Sequence, residues 1–260
     1  MTSSGERESN SVPLFDTHCH LDRYPDPAAA ATQAERDGVV TIGVTNLPSH
    51  FQAGFPHVRK LKRVRLALGL HPLAAGSHRA ELPAFRRLLS VTSYVGEIGL
   101  DFSKEGAATR EEQETSFREV LSALACSPKF VTLHSRRAES RVLELLTEYG
   151  VGPVVFHWYT GPHDVLDELI LRGHFVSVNP AMVRAATGQA VVSRLPRDRV
   201  LTETDGPYVR VGSRPARPAD VAVVVEHLSS VWDLTREQVA ATLYKNFRSV
   251  LDPVSSADGI

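Results

Sequence analysis

The chain has 260 residues, of which 42% are hydrophobic and 23% are charged, and its formal net charge is −1. This composition predicts a soluble globular protein with a sizeable core. Because the net charge is close to zero, any binding of nucleic acid would depend on a local basic patch.

Cysteine content and the first residues bear on the compartment. The sequence has two cysteines, Cys19 and Cys126, which are too few for a disulfide framework or a thiolate zinc site. The opening residues are polar and no apolar run approaches the length of a membrane span. We therefore expect a cytoplasmic protein with no membrane partner.

Short β-rich stretches alternate with helical patterns along the chain. In chain order the predicted strands are PLFDTHC, VVTIGVT, RLALGLH, YVGEIGL, FVTLHS, VVFHW, HFVSVN and RVLTETD. Their spacing is nearly regular and leaves room for a helix in each gap; the segment 26–38, for example, has proline at a plausible first helical position and ends on glycine. The pattern predicts the α/β class and a closed (β/α)₈ TIM barrel.

The domain organisation follows from the same pattern. No internal linker or low-complexity stretch interrupts it, and two helical patterns at 218–232 and 235–251 end it. We expect a single barrel domain over residues 12–251, a disordered N-terminal tail over residues 1–11 and a polar C-terminal tail over residues 252–260.

The first predicted strand carries metal-capable side chains. In the stretch LFDTHCHL, strand alternation places Asp16, His18 and His20 on one face and Thr17 and Cys19 on the other. Two histidines in one segment are equally compatible with a structural role, so this stretch alone leaves both interpretations open.

Further polar residues fall at or just beyond the C-terminal ends of the predicted strands, which is where barrel enzymes assemble their sites. They are His20, His71, Glu97, His134, His157 and Asp205. Four histidines with two carboxylates exceed what one tetrahedral ion requires, so the sequence predicts a two-metal site at the C-terminal face of the strands, with Glu97 as the bridge. Asp205 would bind metal and orient or deprotonate a water molecule, whereas Asp16 and Asp101 would play supporting roles.

These residues lie in an ordered series of motifs. FDTHCHLD, GLHP, VGEIGLDF, LHSR, FHWYTG and TETDGPY follow one another between about residue 14 and about residue 250. The series resembles the TatD family of metal-dependent deoxyribonucleases, which belongs to the TIM-barrel metal-dependent hydrolases. The resemblance implies a two-metal centre that hydrolyses phosphodiester bonds, as an exonuclease acting on single-stranded DNA or 3′ ends.

The resemblance also implies a role for each matching residue. His18, His20 and Asp205 would hold one ion, His134 and His157 the other, and Glu97 would bridge them. His71 would lie at the rim of the site and contact phosphate. Two divalent ions per chain are implied, with Mg²⁺, Mn²⁺ and Zn²⁺ as the candidates.

Two segments depart from the common family pattern. HWYTG stands where most members have a Cys-Phe-Ser/Thr-Gly run, and SVNPAMVR replaces the usual end of the seventh strand. Both variants resemble the branch found in Qat anti-phage defence systems, which implies a role in defence and protein partners from such a system. Gly206 also replaces the commoner alanine.

Several residues are candidates for substrate contact. Trp158 and Tyr159 would stack on an unpaired base or pack against the next helix. Arg136 is the first choice for gripping phosphate and Arg214 the second. The basic run 59–65 enters the third strand, so we expect it on the opposite face of the barrel, away from the metals.

Two other functions remain open on sequence grounds. The same centre could hydrolyse small amide, lactone or phosphate-ester substrates. Alternatively, the barrel could be a subunit of a defence complex that mainly binds DNA or a protein partner.

Overall fold

The computed structural model describes residues 12–257, so the predicted tail at residues 1–11 lies outside the described part. Eight parallel strands form the barrel wall: β1 (Phe15–Cys19), β2 (Val40–Gly43), β3 (Val64–Leu66), β4 (Tyr94–Gly99), β5 (Phe130–His134), β6 (Val155–His157), β7 (Phe175–Val178) and β8 (Val200–Thr202). A short antiparallel pair, β9 (Arg210–Val211) and β10 (Arg214–Pro215), follows β8.

Helices cover the outside of this wall. They are α1 (Pro27–Arg36), α2 (Pro48–Val58), α3 (Ala75–Leu88), α4 (Arg110–Ala125), α5 (Glu139–Tyr149), α6 (His163–Leu171), α7 (Ala186–Arg194), α8 (Val221–Trp232) and α9 (Arg236–Ala257). The predicted start of α1 is present, because Asp26 caps the helix by accepting from the Ala29 N–H, and Pro27 follows it. Within residues 12–257, no helix combines the length and apolar character needed to cross a lipid bilayer.

Backbone hydrogen bonds close the sheet at two seams. Between β3 and β4, the Leu68 N–H donates to the Tyr94 carbonyl and the Gly96 N–H donates to the Leu68 carbonyl, both at 3.0 Å. Between β8 and β1, the Asp205 N–H donates to the His18 carbonyl at 2.9 Å. The ring of strands is therefore continuous, as the (β/α)₈ prediction requires.

The third strand is shorter than its hydrophobic pattern predicts. Its regular pairing ends at Leu66, because the Thr45 hydroxyl donates to the Ala67 carbonyl and accepts from the Gly69 N–H. The side chain thus replaces backbone partners of the ladder. His71 follows in an extended segment beyond the strand.

The N-terminal end of the barrel is filled by apolar side chains. Phe15, Phe130 and inward residues of four other strands form one cluster. Helix α9 completes it with Phe247, whose ring centroid lies 4.6 Å from that of Phe15 and 5.6 Å from that of Phe130. The helix continues to Ala257, beyond the boundary predicted after residue 251, and Val254 in its last turns is buried. With this end closed, polar side chains gather at the other end.

Candidate metal centre

The C-terminal mouth of the barrel brings together six polar side chains from five strands or the segments just after them. They are His18 and His20 from β1, Glu97 from β4, His134 from β5, His157 from β6 and Asp205 after β8. All are buried except His134, whose side chain is 14% exposed. The six residues predicted as metal ligands therefore share one place in the structure.

One set of metal-capable donor atoms forms around the Oε2 atom of Glu97. The Nε2 atom of His20 lies 3.2 Å from Glu97 Oε2 and 3.6 Å from Asp205 Oδ1, and His18 Nε2 lies 3.6 Å from Glu97 Oε2. Among the described atoms, His18 Nε2, Glu97 Oε2 and Asp205 Oδ1 are buried without a hydrogen-bond partner. Converging nitrogen and oxygen donors that lack partners fit a divalent cation.

A second donor set forms around the other oxygen of the same carboxylate. His134 Nδ1 lies 2.8 Å and His157 Nε2 lies 2.9 Å from Glu97 Oε1, and the two nitrogens are 3.3 Å apart. Two imidazole nitrogens so close to each other need a shared proton or cation between them. Glu97 thus faces both donor sets, one with each oxygen.

Outer hydrogen bonds orient the rings. Thr132 Oγ1 lies 2.8 Å from His18 Nδ1, and Asp101 Oδ2 lies 2.8 Å from His134 Nε2. Burial opposes ionisation of Asp101, but hydrogen bonds from His134 and Ser103 outweigh it and lower its pKa to about 2. Carboxylates placed this way fix the tautomer and orientation of metal-binding histidines. Asp101 has the supporting position expected from the sequence.

Asp16 does not share the face of His18 and His20, contrary to the alternation expected in β1. The pairing of β1 with β2 shifts register between Asp16 and Cys19. The Asp16 carboxylate accepts from the backbone N–H of Thr204 at 2.9 Å and from its hydroxyl. Asp16 therefore ties β1 to the segment that carries Asp205.

His71 lies deeper than the rim position implied by the resemblance. It is 8% exposed, and its Nε2 atom is 3.2 Å from Glu97 Oε2. The Leu73 N–H donates to His71 Nδ1 at 3.1 Å. Because Nδ1 accepts this bond, the proton of the neutral ring is on Nε2, where it is available to an incoming anion.

Glu203 is a buried carboxylate to which the sequence interpretation assigned no role. Its side chain has no exposed surface, and Oε1 lies 3.7 Å from His157 Nδ1. The sequence signal that could have identified Glu203 is its place in TETDGPY, two residues before Asp205. Its partners on β7 could not be read from that motif.

A cavity of about 680 Å³ opens above the donor sets. Arg136, Trp158, Leu73 and Tyr208 line it, and Arg136 is the only lysine or arginine among its described lining residues. Tyr208 is 57% exposed and packs edge-on against His20, with ring centroids 4.9 Å apart. The volume lies in the usual range of ligand sites.

Two predicted substrate contacts are placed elsewhere. Tyr159 is fully buried and its hydroxyl donates to the Pro162 carbonyl at 2.6 Å, so it packs inside and cannot stack on a base. The Arg214 guanidinium makes two 2.7 Å bonds to the Asp220 carboxylate and does not line the cavity. A substrate contact by Arg214 would require exchange of this pair for a phosphate.

The packing around the turn after β8 explains why glycine, and not alanine, follows Asp205. Asp205 has a φ of 50°, in the left-handed region. A Cβ atom at Gly206 would lie 2.1 Å from the Tyr24 hydroxyl oxygen and 2.6 Å from the Ala216 carbonyl oxygen, and the hydroxyl donates to that carbonyl. The Tyr24 bond thus occupies the space that an alanine would need.

We expect Gly206→Ala to lower the free energy of unfolding by about 1 to 3 kcal/mol, because the added methyl group overlaps Tyr24. Urea denaturation followed by circular dichroism measures this loss. Tyr24→Phe in the same background should recover part of it, as a double-mutant cycle would show. Strictly additive effects of the two substitutions would contradict the proposed overlap.

Metal binding should release protons. Burial raises the pKa of Asp205 to about 7, although His157 and His20 oppose the shift. Burial disfavours protonation of His157, but Glu97 and Glu203 outweigh it and raise its pKa well above the ordinary value. Since cations bind only the deprotonated groups, metal affinity should rise with pH across about pH 6 to 8.

Calorimetric titrations with Zn²⁺ in buffers of different ionisation enthalpy measure the protons released. Asp205→Asn should release fewer protons at pH 6.5 and show a flatter pH dependence than the parent protein. Equal affinity at both ends of the pH range would show that these groups are not protonated before loading.

Comparisons with known proteins identify the family of this chain. The family model described as TatD related DNase matches residues 15–252. The human protein named deoxyribonuclease TATDN3 is 26% identical over 258 residues, which cover 90% of this chain and 93% of that protein. The Edwardsiella piscicida protein named 3′-5′ ssDNA/RNA exonuclease TatD is 32% identical over 196 residues, or 71% of this chain and 74% of that protein.

Solved structures agree with the fold. YJJV, a TatD homologue from Escherichia coli K12, matches with a TM-score of 0.81 and 26% identity, over 91% of this chain and 97% of that one. A TatD family hydrolase from Entamoeba histolytica has a TM-score of 0.80 at 17% identity, over 94% and 99% of the two chains, and supports the fold alone. The predicted TIM barrel and the predicted resemblance to the TatD family are confirmed. Because the family model spans nearly the whole sequence, this chain belongs to the TatD related DNase family and is a metal-dependent hydrolase.

Proposed function

We propose that this enzyme removes nucleotides from the 3′ ends of single-stranded DNA, with two divalent cations in its centre. The observation that carries the proposal is the position of Glu97, whose two oxygens face two donor sets at the floor of an open cavity. Relatives named deoxyribonuclease and 3′-5′ ssDNA/RNA exonuclease support DNA as the substrate.

The donor sets divide the ligands. His18, His20 and Asp205 would hold one cation, His134 and His157 the other, and Glu97 would contribute one oxygen to each. Mixed imidazole and carboxylate donors suit Zn²⁺ and Mn²⁺, and Mg²⁺ is the third candidate because it commonly serves phosphoryl transfer. The bound cations would supply the Lewis acidity that activates water and neutralises the phosphoryl oxygens.

The chain's own residues complete the reaction. Asp205 would accept the proton of the attacking water through its second carboxylate oxygen, because Oδ1 faces the cation position. The Arg136 guanidinium binds a non-bridging phosphate oxygen, and His71 Nε2 donates a second hydrogen bond to the same group. Trp158 stacks on the unpaired base, which is worth about 1 to 3 kcal/mol per base.

Other parts of the sequence interpretation stay predictions. A substrate contact by Arg214 depends on its release from Asp220. A cytoplasmic location, a role in anti-phage defence and protein partners from a defence system depend on composition and on the resemblance of HWYTG and SVNPAMVR to the Qat branch. Pull-down from a host that carries the complete system would test the partners directly.

End-labelled single-stranded DNA tests the activity. With Mn²⁺, Mg²⁺ or Zn²⁺ the parent enzyme should shorten a 5′-labelled oligonucleotide stepwise, and loss of the proton acceptor in Asp205→Asn should slow it by about 10² to 10⁴-fold. Glu97→Ala should also lose metal, measured by mass spectrometry of the purified protein. A metal-loaded enzyme that leaves every DNA form intact but cleaves small esters or lactones would favour the small-substrate alternative, and DNA binding without any hydrolysis would favour the binding-only alternative.

Arg136→Ala should raise the KM for single-stranded DNA by about 5- to 30-fold, equivalent to one charge-assisted bond of about 1 to 2 kcal/mol. Its metal content should be unchanged. Arg137→Ala is the matched control, since it removes the same charge from the next residue, which does not line the cavity. Equal KM values for the two variants, or metal loss in Arg136→Ala, would show that Arg136 is misassigned.

A further inference from the structure

Trp158 has an unusual backbone conformation for its residue type. It directly follows the donor His157, lines the cavity and has a φ of 39°. A bulky side chain in the left-handed region costs about 1 to 3 kcal/mol and persists only where the surroundings impose it. The structure must therefore contain groups that hold Trp158 in this conformation.

Glu203 is such a group. The backbone N–H of Trp158 donates to Glu203 Oε1 at 3.1 Å. Asn179 Nδ2 donates to the same oxygen at 3.0 Å, and the Ser177 hydroxyl donates to Oε2. A fully buried carboxylate with three donors is held rigidly, because it would be costly to bury without them.

The same oxygen lies next to the metal centre. Glu203 Oε1 is 3.7 Å from His157 Nδ1, which is too far for a hydrogen bond, and this nitrogen is buried without a partner among the described atoms. When the lone pair of His157 Nε2 is directed at a cation, the ring proton is on Nδ1 and requires an acceptor. Glu203 Oε1 is within reach after a small movement of the ring.

We propose that Glu203 is a positioning residue that couples metal occupancy to the substrate cavity. When a cation occupies the donor set of His134 and His157, Glu203 holds the metal ligand and the Trp158 N–H through one oxygen, and Trp158 becomes fixed against the substrate. This inference rests on the cation position in the proposed function, but it does not depend on the identity of the substrate.

Tryptophan fluorescence tests the coupling without DNA. The chain has two tryptophans, and Trp232 is buried in α8, so Trp232→Phe leaves Trp158 as the only reporter. In this background, saturation with Zn²⁺ should lower the acrylamide quenching constant of Trp158 by about twofold, because loading rigidifies its surroundings. In Glu203→Gln at full zinc occupancy, measured by mass spectrometry, the quenching constant should stay unchanged on loading.

Asp101→Asn is the matched control. Asp101 lies 2.8 Å from His134 Nε2, on the other histidine of the same donor set, and among the described residues it shares no hydrogen bond with Trp158. This variant should bind Zn²⁺ more weakly but show the full change in Trp158 quenching once it is saturated. A general loss of metal affinity would affect both variants, whereas loss of the coupling affects only Glu203→Gln.

Three outcomes would overturn the proposal: no response of Trp158 to zinc in the Trp232→Phe parent, an unchanged response in loaded Glu203→Gln, or loss of the response in saturated Asp101→Asn. If Glu203→Gln does not fold, Ser177→Ala decides, since it removes only one bond that holds the carboxylate. A weaker response in that variant supports the coupling and an equal one overturns it. Failure of the nuclease proposal would appear in the DNA assay and leave these measurements unaffected.

Discussion

The arrangement at the mouth of the barrel depends on the buried carboxylate of Glu97. It is 1% exposed, and histidine nitrogens from several strands face its two oxygens. Burial opposes its ionisation, but His71, His157 and His18 outweigh this effect and keep its pKa well below the ordinary value. A buried negative charge of this kind is stable only with positive charge beside it. Protons on the histidines and divalent cations compete to supply that charge. The proposed ligand set and the expected pH dependence of metal loading both follow from that competition.

The barrel supports this charge by separating its two ends. Phe247 of the last helix packs against Phe15 and Phe130, so the N-terminal end is apolar and closed. Polar side chains can gather at the C-terminal end because hydrogen bonds to residues of the wall, such as that between His18 Nδ1 and Thr132 Oγ1, satisfy them there. The closed apolar end also makes the barrel rigid and so keeps the donor side chains in place. A metal centre needs this rigidity if its ligands come from five strands.

Sequence reasoning located the donors because parallel strands bring their C-terminal ends to one mouth, and a histidine or carboxylate after an apolar run is visible in the chain. It failed where the geometry departs from a regular strand or depends on a neighbour. Regular alternation placed Asp16 with the ligands, but a register shift turns it towards Thr204. Tyr159 reads like Trp158 in sequence, yet it points into the core. Glu203 takes its contacts from Ser177, Asn179 and Trp158, on or just after neighbouring strands, and no local pattern around β8 reveals them.

The charge of the cavity limits what it can bind. Carboxylates form its floor, and Arg136 is the only lysine or arginine among its described lining residues. An anionic polymer would meet net repulsion there unless divalent cations offset the carboxylates, so in the proposed function the metals would serve substrate binding as well as chemistry. If loading also fixes Trp158 through Glu203, the attraction for phosphate and the stacking surface for a base are formed together. The metal-free protein would then have neither the attraction for phosphate nor the stacking surface. Only metal-loaded enzyme, which is able to cleave DNA, would bind it.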